Sequence, residues 1–187
     1  MKLIRTFTDD EIETAIKDAK KGLNDYLTIM DLFHTVDVKS NSHFQRIFKN
    51  FYQLNVARKS EAFFFDFFSF LQNYKQNVPE YTTTLKHFYK FGKVEFSFVS
   101  KLLATIDPGL PIWDSNVRAV LGFINPKGKN KIEKAGVIYA ELKEWYKKFI
   151  PSKEGDKWLK LFDKEYPNSN INQIKKIDFI LWQLGAK

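Results

Sequence analysis

The sequence predicts an all-α fold, a compact bundle of about eight or nine helices. Apolar residues recur at helical spacing in one segment after another. Short stretches that hold Pro, Gly or Asn separate these segments, and no two neighbouring segments alternate in the manner of paired strands. Hydrophobic residues make up 44% of the 187 residues, which suffices for a sizeable core.

The first half of the chain contains a helix-start signal and an unusually aromatic segment. Thr8 and Glu11 match a capping box, which predicts a helix that continues to about Leu32. Residues 44–52 place large apolar side chains along one face of a helix. Residues 60–74 are apolar on nearly every side, which is typical of a helix at the centre of a bundle.

Turn residues mark the helix ends in the second half of the chain. One helix is predicted to end near Gly92 and the next near Ile106, because glycine and the proline-containing stretch 107–111 favour helix termination. Another helix is predicted to start at Asp114. Three further helices are predicted over residues 131–149, 153–164 and 171–184.

The chain is interpreted as one all-α domain over residues 1–187. Within it, two helical lobes are expected to flank a cleft, one of about residues 40–125 and the other of residues 1–39 with 126–187. No window holds 18 apolar residues in a row, and the N-terminal segment lacks the apolar core of a signal peptide. A cytoplasmic protein without a membrane partner is therefore expected, and a monomer is assumed.

The charge of the chain favours an anionic partner. The formal net charge is +8 and the isoelectric point is about 9.4, which favours an anionic partner such as a nucleic acid, either DNA or RNA, or a membrane surface. Solubility alone is a second explanation of this charge. There is no cysteine, and His34, His43 and His87 lie in different segments, so neither a metal site nor another cofactor is expected.

Residues 85–121 form a unit that predicts a phosphate-binding turn. The unit contains a helix, the turn FGKV, a second helix, the loop DPGLPIW and a third helix that starts at Asp114. A tight turn between two helices exposes backbone N–H groups at the start of the second helix, where the helix dipole also favours an anion. Four lysines surround this turn: Lys86, Lys90, Lys93 and Lys101.

This unit resembles the helix–hairpin–helix signature of the DNA base-excision glycosylases. Gly92 matches the first hairpin glycine and Pro111 matches the proline of the following loop. Asp114 falls at the spacing of the family's catalytic aspartate, with Val117 and Arg118 in the helix that follows. The resemblance implies a glycosylase-like all-α fold, DNA binding, a function in DNA repair and a catalytic role for Asp114.

The unit also departs from the family's pattern. Val94 replaces the second hairpin glycine, and Phe96 occupies the position of the Schiff-base lysine of the family's lyase members, with which Lys93 and Lys101 do not align. The resemblance therefore implies a monofunctional enzyme, in which water and not a lysine attacks the sugar. The iron–sulfur cluster of some family members is excluded because the chain has no cysteine.

The resemblance assigns roles to several residues of the unit. The Asp114 carboxylate would stabilise the positive charge that develops on the sugar and orient the attacking water. Trp113 would stack on the base after it has been flipped out of the duplex. The residues expected to contact the nucleic acid are Gly92, Lys93, Val94, Lys90, Lys101 and Arg118.

Simpler explanations of the same residues remain open at this point. Asp114 is a preferred N-cap residue, Trp113 fits a core position, and Arg118 is spaced to pair with Asp114 within one helix. Loop 125–131 has three lysines that either contact phosphate or are only solvated. For the whole protein, the alternatives are a DNA-binding module without catalysis and a helical interaction or structural protein.

Overall fold

The computed structural model describes residues 1–54 and 59–186, and these residues form ten α-helices and no strand. The helices are α1 (Asp9–Asp18), α2 (Lys20–Thr35), α3 (Ser42–Phe51), α4 (Glu61–Asn73), α5 (Tyr81–Tyr89), α6 (Phe96–Ile106), α7 (Ser115–Leu121), α8 (Lys131–Phe149), α9 (Lys153–Glu165) and α10 (Gln173–Gly185). The all-α prediction is confirmed, and most predicted helix ends lie close to the observed ones.

The predicted first helix is divided at Ala19, where α1 ends and α2 begins. Side chains from the far end of the chain contact the carbonyl groups at this break. Tyr166 donates a hydrogen bond to the carbonyl oxygen of Ile16 at 2.9 Å, and Gln183 donates to that of Asp18 at 3.1 Å. Side chains that donate hydrogen bonds to the carbonyl groups of a helix favour such interruptions. The contacts of Tyr166 and Gln183 are therefore consistent with the position of the break.

Aromatic packing around α4 occupies the centre of the protein. One side of this helix is buried, through Phe63, Phe64, Phe67, Phe68, Phe70 and Leu71, whereas Phe65 is exposed. The ring of Phe67 lies 5.7 Å from that of Phe48 in α3 and 5.9 Å from that of Phe88 in α5, measured between ring centroids. Edge-to-face and tilted contacts at such distances add to the hydrophobic stabilisation of the core.

Helix α7 carries Asp114 at its start and is held in place by the two ends of the chain. Val117, Val120 and Leu121 are buried, and α7 packs mainly against α10. The backbone N–H of Ile4 donates a hydrogen bond of 2.9 Å to the carbonyl oxygen of Val120. The position of Asp114 therefore depends on segments that are remote from it in sequence.

The buried apolar side chains of the described residues form one cluster that runs from Phe7 to Leu181. Helices α1, α9 and α10 contact one another, α3 packs against α2, and α5 packs against both α6 and α8. The two expected lobes therefore share one core. Residues 55–58, which belong to the expected central lobe, lie outside the described residues. No helix in the described ranges is long and apolar enough to cross a membrane.

The close approach of Gly155 to the end of α8 generates a test of this packing. A Cβ atom at Gly155 would lie 2.0 Å from the carbonyl oxygen of Phe149, which belongs to the backbone and cannot move aside. We expect Gly155→Ala to lower the free energy of unfolding by roughly 1–3 kcal/mol through overpacking. Urea denaturation followed by circular dichroism measures this change.

Gly136→Ala is the matched control, since Gly136 also lies inside a helix. Its added Cβ would meet only the side-chain methyl of Thr82, at 2.6 Å, and alanine favours a helix over glycine by about 0.5–1 kcal/mol. We expect little net change in this variant. Equal destabilisation of the two variants would contradict the close approach at Gly155.

Candidate functional site

The predicted turn is present between α5 and α6. Gly92 has a φ of +86°, a conformation that glycine adopts without strain, and its N–H donates to the carbonyl oxygen of Tyr89 at 2.8 Å. Lys93 is exposed and Val94 is half-buried. The Glu95 side chain makes no capping hydrogen bond to the start of α6, and its charge is compensated by an ion pair with Lys59.

Lys90 lies at the turn, but its ammonium group already forms an ion pair with a neighbouring carboxylate. Its Nζ is 3.0 Å from Oδ2 of Asp66, an oxygen that also lies 2.8 Å from Nε2 of His87. The Lys90 side chain is half exposed. A phosphate at this position would therefore compete with Asp66 for the ammonium group.

A basic groove runs between the turn and loop 125–131. We define the basic groove by Gly92 and Lys93 of the turn together with Lys129 and Lys131 of the loop region. Its volume is about 680 Å³, and all three lysines are exposed. The fold thus brings Lys129 and Lys131, two of the three lysines of loop 125–131, beside the predicted phosphate-binding turn.

Asp114 is the N-cap of α7, as predicted. Its Oδ1 accepts a hydrogen bond of 2.9 Å from the backbone N–H of Asn116. Its Oδ2 lies 2.7 Å from Nζ of Lys101, which also donates to the carbonyl oxygen of Tyr52 at 2.9 Å. Asp114 is 6% exposed and Lys101 is 7% exposed. The carboxylate is therefore held by a cap bond and by a buried ion pair.

The structure places Lys101 and Arg118 differently from the sequence-based expectation. Lys101 does not lie on the surface beside the turn, because α6 is buried on nearly all sides around it and its ammonium group reaches inward to Asp114. Arg118 is half-buried, and within residues 1–54 and 59–186 it forms no ion pair with Asp114. The partner of the carboxylate is thus a lysine from another helix.

The Asp114 carboxylate lies at the wall of a pocket of about 420 Å³. We call this the Asp114 pocket, and its polar lining includes the following side chains: Gln53, Ser97, Lys101, Asp114, Asn116, Arg118 and Asn125. Val94, Phe96 and Asn125 line both this pocket and the basic groove. The pocket and the groove are therefore neighbours, with Arg118 and Asp114 on the pocket side.

Trp113 belongs to the core more than to a binding surface. It is 1% exposed, and its indole N–H donates a hydrogen bond of 2.8 Å to Oδ1 of Asn125. The rings of Phe96 and Tyr81 lie nearly parallel to it, with centroid distances of 5.3 and 6.2 Å. Phe96 is the half-exposed member of this stack, so Phe96 is better placed than Trp113 to contact a base.

A second buried group of charges lies nearby and had no assigned function in the sequence. Nζ of Lys175 is 3.1 Å from Oδ2 of Asp178, and the hydroxyl of Tyr146 donates to Oδ1 of the same carboxylate. Burial raises the pKa of Asp178, although Lys175 and Tyr146 partly offset this effect. Burial and the adjacent Asp178 raise the pKa of Tyr146 well above its ordinary value.

Lys175 and Asp178 line a cavity of about 250 Å³ that opens to the surface, where its lining includes the exposed residues Lys21, Asn50 and Gln53. We call it the Trp182 cavity, after the tryptophan of α10 at its wall. Lys101 and Gln53 line both this cavity and the Asp114 pocket. In the part of the chain that the structure describes, no cluster of three or more His, Asp or Glu side chains is arranged to hold a metal ion.

Comparisons with known proteins identified no relative of this chain. No family model matches the chain, and neither a curated protein nor a solved structure matches it.

The buried ion pair generates a stability test. We expect Lys101→Met to lower the free energy of unfolding by about 3–5 kcal/mol, because it leaves the Asp114 carboxylate buried without a counter-charge. The double variant Lys101→Met/Asp114→Asn removes both charges, and asparagine caps a helix about as well as aspartate. The double variant should therefore recover most of the loss in urea denaturation.

The exposed pair between Lys160 and Asp156 is the control. Their side chains are 76% and 55% exposed, and surface pairs contribute about 0–1 kcal/mol. Lys160→Met should therefore change the stability little. A double variant at Lys101 and Asp114 that is no more stable than Lys101→Met alone would show that the two charges are not coupled.

Proposed function

We propose that the chain binds DNA and hydrolyses the N-glycosidic bond of a flipped nucleotide, with Asp114 as the catalytic carboxylate. The observation that carries the proposal is the position of this carboxylate. It lies in the wall of the Asp114 pocket, which shares three lining residues with the basic groove. A phosphate backbone bound in the groove would therefore present its sugar and base close to Asp114.

The chemistry of base release fits a fixed carboxylate. Cleavage of the bond between sugar and base places positive charge on the sugar, and a preorganised negative charge stabilises that transition state. The cap bond from Asn116 and the ion pair with Lys101 fix both oxygens of Asp114. A water molecule in the pocket, oriented by the same carboxylate, would then attack the sugar.

Lys101 is proposed to hold the carboxylate and not to attack the sugar. Its nitrogen contacts Oδ2 of Asp114 and the carbonyl oxygen of Tyr52, and in both contacts the ammonium group is the hydrogen-bond donor. A protonated amine has no lone pair for attack on carbon. Hydrolysis by water, as in a monofunctional glycosylase, therefore remains the proposal.

A DNA-binding module without catalysis is the second candidate. It is favoured by the number of protein contacts that Asp114 already makes, since one of its oxygens caps α7 and the other pairs with Lys101. A carboxylate with these contacts would have the same geometry if its role were only structural. The two candidates share the basic groove and differ in whether base release occurs.

The catalytic claim is tested with Asp114→Asn, which keeps the N-cap and removes the negative charge. We expect base release from duplexes with one damaged base to fall by at least 100-fold, because the cationic transition state loses its counter-charge. DNA binding should be retained within a few-fold. Cleavage of the product by alkali at the abasic site measures base release, and a gel-shift titration measures binding.

Two controls accompany this measurement. The double variant Lys101→Met/Asp114→Asn, which has no unpaired buried charge, separates loss of catalysis from loss of folding. Borohydride should trap no covalent complex with DNA if water is the nucleophile. Undiminished base release by Asp114→Asn would overturn the role of Asp114. A wild-type chain that binds DNA but releases no oxidised, alkylated or deaminated base would support the second candidate.

The basic groove is tested by reversing the charge of its lysines. We expect Lys93→Glu, Lys129→Glu and Lys131→Glu together to weaken binding to duplex DNA by at least tenfold. The dependence of log Kd on log salt should become shallower by about 0.9 for each phosphate contact that is lost. Fluorescence anisotropy with labelled duplex DNA at several salt concentrations measures both effects, and single-stranded RNA of the same sequence tests the alternative partner.

Lysines at the far end of α8 provide a control with the same change in net charge. Lys147 and Lys148 lie about 24 Å along the helix axis from Lys131, given a rise of 1.5 Å per residue, and Lys164 lies in α9. Their combined replacement by glutamate should change the affinity much less. Equal losses in the two triple variants would show that net charge alone, and not the groove, accounts for binding.

A further inference from the structure

An apolar groove lies where loop 125–131 meets α8. We define the apolar groove by Ile124 and Pro126 on the loop side together with Val137 and Ile138 of α8. Ile124 is 72% exposed and Val137 is 62% exposed. Large aliphatic side chains that are exposed singly are ordinary, but several that share one recess mark a contact surface for another molecule.

The loop side of the apolar groove is held in place by two hydrogen bonds. The indole N–H of the core residue Trp113 donates to Oδ1 of Asn125, which lies between Ile124 and Pro126 in the chain. Nζ of Lys134 in α8 donates to the carbonyl oxygen of Lys127 at 3.4 Å. The groove is therefore formed before a partner binds, which lowers the entropy cost of binding.

The apolar groove has room for a side chain of a partner. Its volume is about 400 Å³, whereas an apolar cavity of about 150 Å³ holds one benzene molecule. Pro126 and Ile138 are half-buried, while Ile124 and Val137 are exposed. A leucine or an aromatic side chain that enters the groove would therefore contact apolar atoms on several sides.

Lysines surround the apolar groove. Lys127 and Lys134 belong to its lining, in which the described residues include no carboxylate. Lys129 and Lys131 belong to the adjoining basic groove, which shares two lining residues with it. All four lysines are exposed, and within residues 1–54 and 59–186 none of them forms an ion pair. A partner with carboxylates beside its apolar side chain would therefore complement this surface.

A second copy of the chain complements the surface less well. In the common symmetric dimer, the same patch of both subunits forms the interface. The lysines around the apolar groove would then face the lysines of the other copy. Like charges placed together across an interface weaken the contact, so this groove favours a different protein as its occupant.

An anionic membrane is also a weaker match. Glu133 and Glu141 are exposed and lie one turn before and one turn after Val137 in α8. Anionic headgroups spread over this face would approach both glutamates and be repelled by them. A peptide, in contrast, can place its carboxylates at Lys127 and Lys134 alone.

We propose that the apolar groove is a docking site for an acidic segment of another protein. The segment inserts a large apolar side chain into the groove and places its carboxylates at Lys127 and Lys134. The buried side chain supplies most of the affinity, and the charges select and orient the partner. This inference does not rest on the proposed function, because neither Ile124 nor Val137 lines the Asp114 pocket or the basic groove.

A library of random peptides displayed on phage tests the chemistry of the partner. Selection on the wild-type chain should enrich peptides that combine Asp or Glu with a leucine, phenylalanine or tryptophan. Fluorescence anisotropy with the labelled synthetic peptides then measures their affinity. Enrichment of basic peptides, of uncharged peptides or of none would overturn the proposal.

Replacement of the exposed aliphatic side chains locates the binding. We expect Ile124→Ser/Val137→Ser to weaken the binding of the selected peptides at least tenfold, because the apolar side chain of the peptide loses its contacts. Phe65→Ser is the control, since Phe65 lies in α4, is 63% exposed and does not line the groove. It should leave the affinity unchanged within twofold, with folding of both variants checked by circular dichroism. Unchanged binding to the double variant, or equal losses in both variants, would overturn the docking site.

Charge reversal tests the lysines of the lining. We expect Lys127→Glu/Lys134→Glu to weaken peptide binding at least tenfold and to reduce its dependence on salt. Lys147→Glu/Lys148→Glu, at the far end of α8, makes the same change in net charge and should alter the affinity less than threefold. Equal losses in the two variants would show that net charge and not the groove attracts the peptides, which would overturn the proposal.

Vesicles distinguish a protein partner from a membrane. Vesicles of phosphatidylcholine with phosphatidylserine are sedimented with the wild-type chain and with Ile124→Ser/Val137→Ser. We expect no difference between the two chains. Sedimentation of the wild-type chain that is lost in the double variant, without peptide binding, would overturn the proposal in favour of a membrane surface.

Discussion

The buried ion pair between Lys101 and Asp114 is the interaction on which the rest of the candidate site depends. It joins α6 to the N-cap residue of α7, and the Lys101 ammonium also donates a hydrogen bond to the carbonyl oxygen of Tyr52, the C-cap residue of α3. Three segments therefore meet at two opposite charges. Loss of either charge leaves the other buried and uncompensated, so the relative positions of these segments are tied to one another.

The helices were largely predictable from the sequence because their signals are local. The Thr8–Glu11 capping box and the Asp114 N-cap involve residues that are neighbours in the chain, and both form as expected. The break at Ala19 was not predictable, because the side chains of Tyr166 and Gln183 that contact the carbonyl groups there come from about 150 residues away. Local patterns thus define the helices, whereas contacts between distant residues decide where a long helix is interrupted.

The candidate site was predictable only in part, for the same reason. The turn at Gly92 and the cap at Asp114 follow from residue type and spacing. The inward direction of Lys101 had one indirect signal, since a lysine within the apolar run of α6 has little exposed surface to occupy. The sequence could not identify Asp114 as the ion-pair partner of Lys101. Nor could it predict that Lys93, Lys129 and Lys131 line one groove, because this depends on how α5, α6 and α8 pack.

The ion pair also lies beside the pocket where a nucleotide is proposed to bind. Lys101 and Asp114 both line the Asp114 pocket, so a sugar bound there would contact one fixed charge arrangement. Because both charges are already desolvated and bonded before a ligand arrives, neither has to reorganise during the reaction. A structural role for the pair and a catalytic role for Asp114 are therefore compatible, since the contacts that stabilise the fold are those that would preorganise the carboxylate.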